Sequence, residues 1–342
     1  MIMSTVQEVS SPSVVTPTPK KAMALDSIAS VVLLFLLAIT PLFVGNFIIF
    51  QMTMVLIYAI AVLALNILTS ASGQFSLGQS AFYALGAYTS AILIEHAGMN
   101  YALTLPLVGI ICFIAGFLFG LPALRLSGIY LALATFALAV AMPQLLKLGV
   151  FEHWTGGVQG LAITKPDAPA IFASMGLKVS QDMWLYFFTL VVAVLIYIFS
   201  VNLLKSRSGR ALMSIRDNEI AATAMGVDVA LYKTLAFGVS AGITGIAGCL
   251  GAIAVQFVAP DGYTIQLAIA LFLGMVVGGV GWLPGSLAGA LFIVFVPNIA
   301  EHVSKGLSGG VFGAILILII FLLPNGARQI ATTIQKFLRR SL

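Results

Sequence analysis

The stretch MTMVLIYAIAVLALNILT occupies residues Met52–Thr69 and contains no charged side chain. An apolar helix of roughly 20 residues is long enough to cross the hydrocarbon core of a bilayer, which is about 30 Å thick. The rest of the chain has the same character, since 61% of its 342 residues are hydrophobic and only 8% are charged. A soluble domain carries about 25% charged residues. The composition therefore excludes an ordinary soluble protein and predicts one that is embedded in lipid.

Nine further windows resemble this stretch. The ten windows are Ile28–Ile49, Met52–Thr69, Leu77–Ile94, Ala102–Leu121, Ser127–Leu146, Met183–Leu204, Thr234–Phe257, Thr264–Trp282, Ser286–Ala300 and Ser308–Leu323. We interpret them as helices, because an isolated strand in lipid would leave its backbone unpaired. None of them contains Asp, Glu, Lys, Arg or His, as the cost of a charge at mid-bilayer requires. The predicted fold class is an all-α membrane protein, a polytopic bundle of about ten transmembrane helices.

The basic residues predict the orientation of these spans. With the N-terminus inside, twelve fall on the inner side: Lys20, Lys21, Arg125, Lys205, Arg207, Arg210, Arg216, Lys233, Arg328, Lys336, Arg339 and Arg340. Four fall outside: Lys147, Lys165, Lys178 and Lys305. Because Lys and Arg are concentrated on the cytoplasmic side of membrane proteins, we predict that the N- and C-termini are cytoplasmic. The net charge of +5 then reflects topology and not nucleic-acid binding.

The chain divides into three predicted parts. Residues 1–26 are rich in Ser, Thr, Val and Pro and predict a disordered cytoplasmic tail. Residues 27–325 form the transmembrane domain, with an outer loop at 149–182 and a charged cytoplasmic segment at 205–233. Residues 326–342 form a basic cytoplasmic tail. The first apolar run is long and has no small-residue cleavage site, so we expect it to remain as a span and not to be removed as a signal peptide.

Two glycine-rich stripes and two cysteines lie within the spans. The stripes are Gly238, Gly242, Gly245, Gly248 and Gly251 in the seventh window, and Gly274, Gly278, Gly279 and Gly281 at the eighth. Small residues allow helix backbones to approach closely in lipid, so we predict tight helix packing, with a wall of a solute path as the alternative. Cys112 and Cys249 show neither disulfide nor metal-ligand spacing and are interpreted as packing residues.

Two polar segments are candidates for a translocation pathway. The segment between the second and third windows contains Gln74, Ser76 and Gln79. Non-helical backbone at membrane depth is tolerated only if it is buried in protein or lines a wet cavity, so these side chains are available to bind a passing solute; the alternative is an ordinary cytoplasmic turn. The outer loop contains a second set, Thr155, Gly156, Gly157 and Gln159, which predicts a shaped turn. This turn would face a partner or the pore mouth; the alternative is a loop that merely connects.

The cytoplasmic segment Ser208–Asp228 predicts a short surface helix. Its alanines favour a helix, and Gly226 is a typical stop signal. We interpret it as a docking helix for a cytoplasmic protein, with a solvated connector as the alternative. Its candidate residues are Gly209, Arg210, Arg216, Asp217, Glu219, Ala221, Ala222 and Gly226.

This segment resembles the coupling segment of importer permeases, in which Glu-Ala-Ala is followed three residues later by Gly; here Ile220 interrupts that order. Residues 50–325 as a whole resemble the permease of branched-chain amino-acid ABC importers, LivM type. The matching segments are Ser72–Tyr88, Thr155–Leu161, Gly209–Gly226 and Met275–Gly281. Two departures bear on substrate range: the family often has His at the position of Gln79, and Trp282–Pro284 replaces a Ser-containing turn.

The resemblance implies a heteromer in the bacterial plasma (inner) membrane. Its other members would be a second homologous permease, two cytoplasmic ATP-binding subunits and a periplasmic or extracellular solute-binding protein, all surrounded by membrane lipid. The chain has no Gly-x-x-x-x-Gly-Lys-Ser/Thr loop, so it would bind no cofactor itself and ATP would be used by the partner subunits. The expected solutes are leucine, isoleucine and valine.

Three other interpretations remain open from the sequence. A urea or amide ABC permease would have the same architecture. A sodium-coupled secondary transporter is a second alternative, since broken-helix carbonyls bind Na⁺, although the spans lack the buried acids or histidines of proton-coupled carriers. A channel is the third, although no charged ring is present. An enzyme is not expected, because neither a carboxylate pair nor a His-Glu-x-x-His metal site occurs in the sequence.

Overall fold

The structure, a computed structural model, describes residues 37, 39–42, 44–123, 126, 128–166, 180–303, 308–324, 326–329 and 333. The chain forms two units, residues 1–44 and 45–342. In the first, Thr40–Leu42 is a 3-10 helix. The predicted tail at 1–26 and nearly all of the basic tail at 326–342 lie outside the described residues.

The second unit contains helices joined by short connections. They are α1 (Asn46–Ser72), α2 (Gln79–Glu95), α3 (Tyr101–Ala123), α4 (Ile129–Leu146), α5 (Glu152–Thr155), α6 (Gln181–Lys205), α7 (Arg207–Asp217), α8 (Glu219–Ala224), α9 (Val229–Val255), α10 (Ile265–Gly278), α11 (Gly285–Val303) and α12 (Ser308–Leu322). A 3-10 helix, Pro260–Tyr263, precedes α10. Two strands, β1 (Leu161–Ala162) and β2 (Phe257–Val258), pair antiparallel, a small departure from the predicted all-α fold.

Helices occupy most of the predicted spans, and the chain is a multi-pass membrane protein. Six described segments are long and apolar enough to cross a bilayer: Asn46–Ser72, Tyr101–Pro122, Ile129–Leu146, Gln181–Lys205, Val229–Val255 and Pro260–Gly278. The predicted boundary of the first window was wrong. Its last four residues belong to α1, which begins after Gly45 and continues without a break through Phe50 and Gln51, because neither residue interrupts helical pairing. The start of that window, residues 28–36, lies outside the described residues.

Helix α9 lies at the centre of the second unit and packs against α1, α2 and α3. In its most apolar window 83% of residues are buried, compared with 17% for α6, so α6 lies at the periphery. The glycine stripe of α9 makes this close packing possible. A Cβ atom on Gly248 would lie 2.0 Å from the carbonyl oxygen of Tyr83 in α2, and one on Gly245 would lie 2.4 Å from the Cys112 sulfur in α3. The predicted tight packing is confirmed, and both cysteines are free and buried.

The turn between α10 and α11 is held by one buried amide. Asn66 of α1 donates through Nδ2 to the carbonyl oxygens of Gly279 and Trp282, at 3.3 and 3.2 Å, and its Oδ1 accepts from the Gly281 N–H at 2.8 Å. Beyond this turn the second stripe lets α10 and α11 approach, since a Cβ on Gly274 would lie 2.5 Å from the Ile293 side chain. An asparagine in an apolar span therefore fixes a distant turn.

Replacing Asn66 by leucine is expected to lower the free energy of unfolding by about 2–3 kcal/mol. The reason is that the Gly281 N–H and two carbonyl groups lose their side-chain partner, and a buried polar group left unpaired costs about 1–3 kcal/mol. The measurement is the thermal unfolding midpoint of the purified protein in detergent. The matched control is Thr189→Val, because the buried Thr189 hydroxyl has no hydrogen-bond partner to lose. Equal midpoints for the two variants would contradict the assigned role of Asn66.

Candidate functional site

The first predicted pathway segment is a break between α1 and α2 that lies largely inside the protein. Gly73 ends α1 with φ 70°, and its N–H donates to the Thr69 carbonyl oxygen. The Thr69 hydroxyl donates to the Gln74 carbonyl oxygen at 3.4 Å, and the Ser72 hydroxyl donates to Gln74 Oε1 at 3.1 Å. Gln74 is consequently buried and bonded to its own chain.

The backbone after Gln74 is paired by side chains. The Leu77 N–H donates to the Thr135 hydroxyl of α4 at 2.9 Å, and the Gly78 N–H donates to the Ser76 hydroxyl at 3.2 Å. Ser76 is buried, whereas the Phe75 ring is half exposed. Side-chain acceptors thus replace the helical partners that this backbone lacks, as non-helical segments inside a membrane require.

Gln79, the first residue of α2, joins three helices. Its Nε2 donates to the Ser240 hydroxyl at 3.0 Å, its Oε1 accepts from the Thr244 hydroxyl at 2.7 Å, and the Ser240 hydroxyl donates to the Ala64 carbonyl oxygen at 2.9 Å. At 1.5 Å per residue, Ala64 lies about 12 Å before the end of α1. The chain therefore turns back into the bundle after α1, and α2 begins well inside it.

The outer pathway candidates form a compact turn at the other end of α4. The buried Thr155 hydroxyl lies 2.9 Å from the Leu146 carbonyl oxygen and accepts from the Gly157 N–H at 3.2 Å. Gly156 has φ 68°, and a Cβ there would lie 2.1 Å from the Gly160 carbonyl oxygen, so this turn needs glycine. Gln159 is exposed. The predicted shaped turn is present at Thr155–Gly157.

The two sets of pathway candidates do not meet. The inner set contacts α4 at Thr135, whereas Thr155 contacts Leu146, about 16 Å further along the same helix by its rise per residue. Within each set, the polar groups of Gln74, Gln79 and Thr155 bond to protein atoms. That any of them lines a solute path stays a prediction.

The predicted coupling helix is instead two helices, α7 and α8. The break falls at Asn218, whose backbone is extended (φ −159°, ψ 107°) and whose side chain accepts from the Ala221 N–H at 3.0 Å. Asparagine is a preferred N-cap because its side-chain oxygen binds an orphan N–H in the first turn. The prediction of one continuous helix was therefore wrong, and the cause is this local cap.

Helices α7 and α8 with the two residues after them, residues 207–226, are called the coupling segment below, after their predicted role. This segment has a buried face and an exposed apolar face. Gly209, Leu212, Ile215 and Ala222 are buried, and a Cβ on Gly209 would lie 2.3 Å from the Leu204 carbonyl oxygen. Ala221 and Gly226 are exposed. Ile220 is 84% exposed and Met225 is 85% exposed, so two large apolar side chains of this segment face away from the rest of the described structure.

Two ion pairs and one hydrogen bond to a backbone carbonyl involve charged side chains of this segment. Lys233 Nζ of α9 lies 2.6 Å from a Glu219 carboxylate oxygen, and Arg216 Nη2 lies 2.8 Å from an Asp217 carboxylate oxygen. The Arg210 guanidinium donates to the Lys205 carbonyl oxygen at 3.0 Å. All these groups are at least partly exposed, so each pair contributes little stability, typically about 0–1 kcal/mol.

Arg216 connects the coupling segment to the break between α1 and α2. Its Nη1 donates to the Ser70 carbonyl oxygen at 2.7 Å. Its Cγ lies 3.1 Å from the position a Cβ on Gly73 would take, so the arginine packs over the first residue of the break. The sequence singled out both segments but not this contact between them. It likewise missed Asn66, Ser240 and Thr244, whose only signal is that they are isolated polar residues in apolar spans.

The fold and this site together define a membrane protein with a helix break inside its bundle and a charged helical segment, α7 and α8, bonded to that break. The model of the family described as "Branched-chain amino acid transport system / permease component" matches residues 47–320. The chain belongs to this family, which confirms the resemblance found in the sequence.

Individual relatives agree with the family match. The chain is 30% identical to the high-affinity branched-chain amino acid transport system permease protein LivM of Salmonella typhimurium, over 95% of this chain and 80% of that protein. The LivM protein of Escherichia coli is also 30% identical, over 94% and 79%. A probable branched-chain amino acid transport permease protein LivH of Methanocaldococcus jannaschii is 25% identical, over 76% and 82%. No solved structure matches the chain.

Proposed function

We propose that this chain is the transmembrane permease subunit of an ATP-binding-cassette importer that carries branched-chain amino acids across the bacterial plasma membrane. The family and the names of the relatives support this solute class over the urea and amide alternative. The chain has no phosphate-binding loop, so the energy must come from another subunit.

The observation on which the proposal depends is the Arg216–Ser70 hydrogen bond. On one side of it, Ile220 and Met225 offer an apolar surface to a cytoplasmic ATPase. On the other side, the break leads to the Gln79–Ser240–Thr244 network between α2 and α9. A displacement of α7 and α8 by the ATPase would move the break and the start of α2 with it. This gives a continuous mechanical connection from the cytoplasm to the middle of the bundle.

The proposal includes the assembly and the topology. The partners are a second homologous permease, two ATP-binding subunits and an external solute-binding protein. The relatives include two types of permease, LivM and LivH, which supports a paired permease. Both termini lie in the cytoplasm and the spans number about ten, in agreement with the distribution of Lys and Arg.

The proposed function is tested by reconstituting the chain in liposomes with its partner permease, ATPases and binding protein. We expect uptake of radiolabelled leucine that requires ATP and is unaffected by removal of the Na⁺ gradient. The chain alone is expected not to concentrate leucine. Accumulation by the chain alone, or accumulation driven by Na⁺ without ATP, would overturn the proposal in favour of a secondary transporter.

Arg216→Gln is expected to reduce ATP-driven leucine uptake about three- to tenfold while ATP hydrolysis by the complex continues. The Arg216–Ser70 hydrogen bond is exposed to solvent, so its net contribution is that of a typical hydrogen bond, about 0.5–1.5 kcal/mol, and its loss would disconnect the coupling segment from Ser70. The measurement is the number of ATP molecules hydrolysed per leucine transported. The control is Arg210→Gln, because Arg210 bonds within its own segment. Equal coupling ratios in the two variants would contradict the connection.

A further inference from the structure

The N-terminus of α2 has an unusual position and an unusual neighbour. It lies inside the bundle, beside Ala64 of α1 and Ser240 of α9 through the hydrogen bonds of Gln79. Its N-cap residue is Gly78, and no side chain caps the helix. The first N–H groups of any α-helix lack intrahelical partners. A helix that starts in this way usually receives a Ser, Thr, Asp or Asn cap.

A second, independent feature lies in the same turn. Ser80, the second residue of α2, is fully buried, and its hydroxyl has no hydrogen-bond partner. Because Cα–Cβ bonds in a helix tilt toward its N-terminus, this hydroxyl lies over the first turn of α2. Its sequence neighbours Ser76 and Gln79 do have partners. Alanine would fill the same position without an unpaired buried hydroxyl, so packing does not account for the serine.

These features are the components of an anion site. The Ala81 N–H donates to the Gly78 carbonyl oxygen at 3.0 Å, which leaves the N–H groups of Gln79 and Ser80 at this helix end. These two groups, together with the partial positive charge of a helix N-terminus, favour a carboxylate or phosphate. Transporters with broken helices use such half-helix N-termini to bind the carboxylate of their solutes. Asp, Glu, Lys, Arg and His are absent from the described segments 74–94 and 234–257, so no charged side chain on these segments repels a carboxylate at this turn or pairs with it.

We propose that the N-terminus of α2 and the Ser80 hydroxyl form the site that binds the α-carboxylate of the transported amino acid. The inference rests on the proposed function for the class of solute. The carboxylate would accept from the Ser80 O–H and from the backbone N–H groups of Gln79 and Ser80. Thr135 of α4 borders this turn, because a Cβ on Gly78 would lie 3.0 Å from its carbonyl oxygen. Ser80 is buried in this conformation, so the solute would reach the turn in a conformation in which the break is open.

The first test is Ser80→Ala in the complete reconstituted complex. We expect ATP-driven leucine uptake to fall about tenfold, the effect of losing one hydrogen bond to a charged group, with ATP hydrolysis and the unfolding midpoint not reduced. Thr189→Val removes another buried hydroxyl without a partner, on α6, and is expected to transport normally. Normal uptake by Ser80→Ala, or an equal loss in Thr189→Val, would overturn the site.

The second test needs no ATP and separates this inference from the proposed function. Binding of radiolabelled leucine to the wild-type complex in nanodiscs, without nucleotide or binding protein, is competed with 4-methylpentanoate, which lacks the ammonium group, and with isopentylamine, which lacks the carboxylate. We expect 4-methylpentanoate to displace leucine from the wild-type complex and isopentylamine not to. In the Ser80→Ala complex we expect 4-methylpentanoate no longer to compete. Competition by the amine alone would overturn the carboxylate site. Acid-selective binding in a complex that shows no ATP-driven uptake would leave the site standing and refute the proposed function.

Discussion

Gly248→Val is expected to abolish the folded protein or to reduce its free energy of unfolding by more than about 3 kcal/mol. A Cβ on Gly248 would lie 2.0 Å from the Tyr83 carbonyl oxygen and 3.1 Å from the Ala87 nitrogen. These are backbone atoms of α2 and cannot rotate away, so α9 and α2 would have to separate. Overpacking a core by a few methylene groups costs typically about 1–3 kcal/mol, and here the strain falls on α9, the most buried of the six long apolar segments.

The measurement is the yield of monodisperse protein after extraction, followed by the unfolding midpoint. The matched control is Gly313→Val in α12, where a Cβ would have no other atom within 4 Å; it introduces the same β-branched residue into an apolar helix. We expect its yield to be close to that of the wild type. Similar yields for the two variants would contradict the close approach of α2 and α9.

Ile220→Glu is expected to reduce ATP-driven leucine uptake more than tenfold and to leave the fold of the chain intact. Ile220 is 84% exposed, so its replacement removes no internal packing. At an interface with an ATPase, the change would lose about 1.5–3 kcal/mol of apolar burial and would bury a carboxylate without a partner. A loss of only about 1.4 kcal/mol already weakens binding tenfold.

The binding of the ATPase is measured by co-purification and the transport by uptake in proteoliposomes. Ile220→Leu, which keeps the apolar surface, is expected to behave as the wild type in both. The unfolding midpoint of Ile220→Glu should equal that of Ile220→Leu. If Ile220→Glu retains the ATPase and transports normally, the exposed face of α8 is not the docking surface.

The sequence predicted apolar helices correctly in most of its windows, and six of the ten predicted spans coincide with described segments that are long and apolar enough to cross a bilayer. Lipid tolerates only long uncharged stretches with paired backbones, so windows such as Met183–Leu204 coincide with helices such as Gln181–Lys205. The sequence also predicted the tight packing at the glycine stripes, because the spacing of small residues along one helix indicates a flat face. It misplaced the start of α1 and missed the break at Asn218, because a helix boundary depends on one or two local bonds that an apolar average does not register.

From the amino-acid sequence alone we could infer that the protein is embedded in a membrane, approximately where its helices run, and which family it resembles. The hydrogen bond from Arg216 to Ser70, the bonds from Gln79 to Ser240 and Thr244, and the absence of a partner for the Ser80 hydroxyl became visible in the three-dimensional fold. Hydropathy and helix propensity are properties of neighbouring residues. A hydrogen bond between positions more than a hundred residues apart depends on how the helices pack, so it cannot be predicted from local spacing.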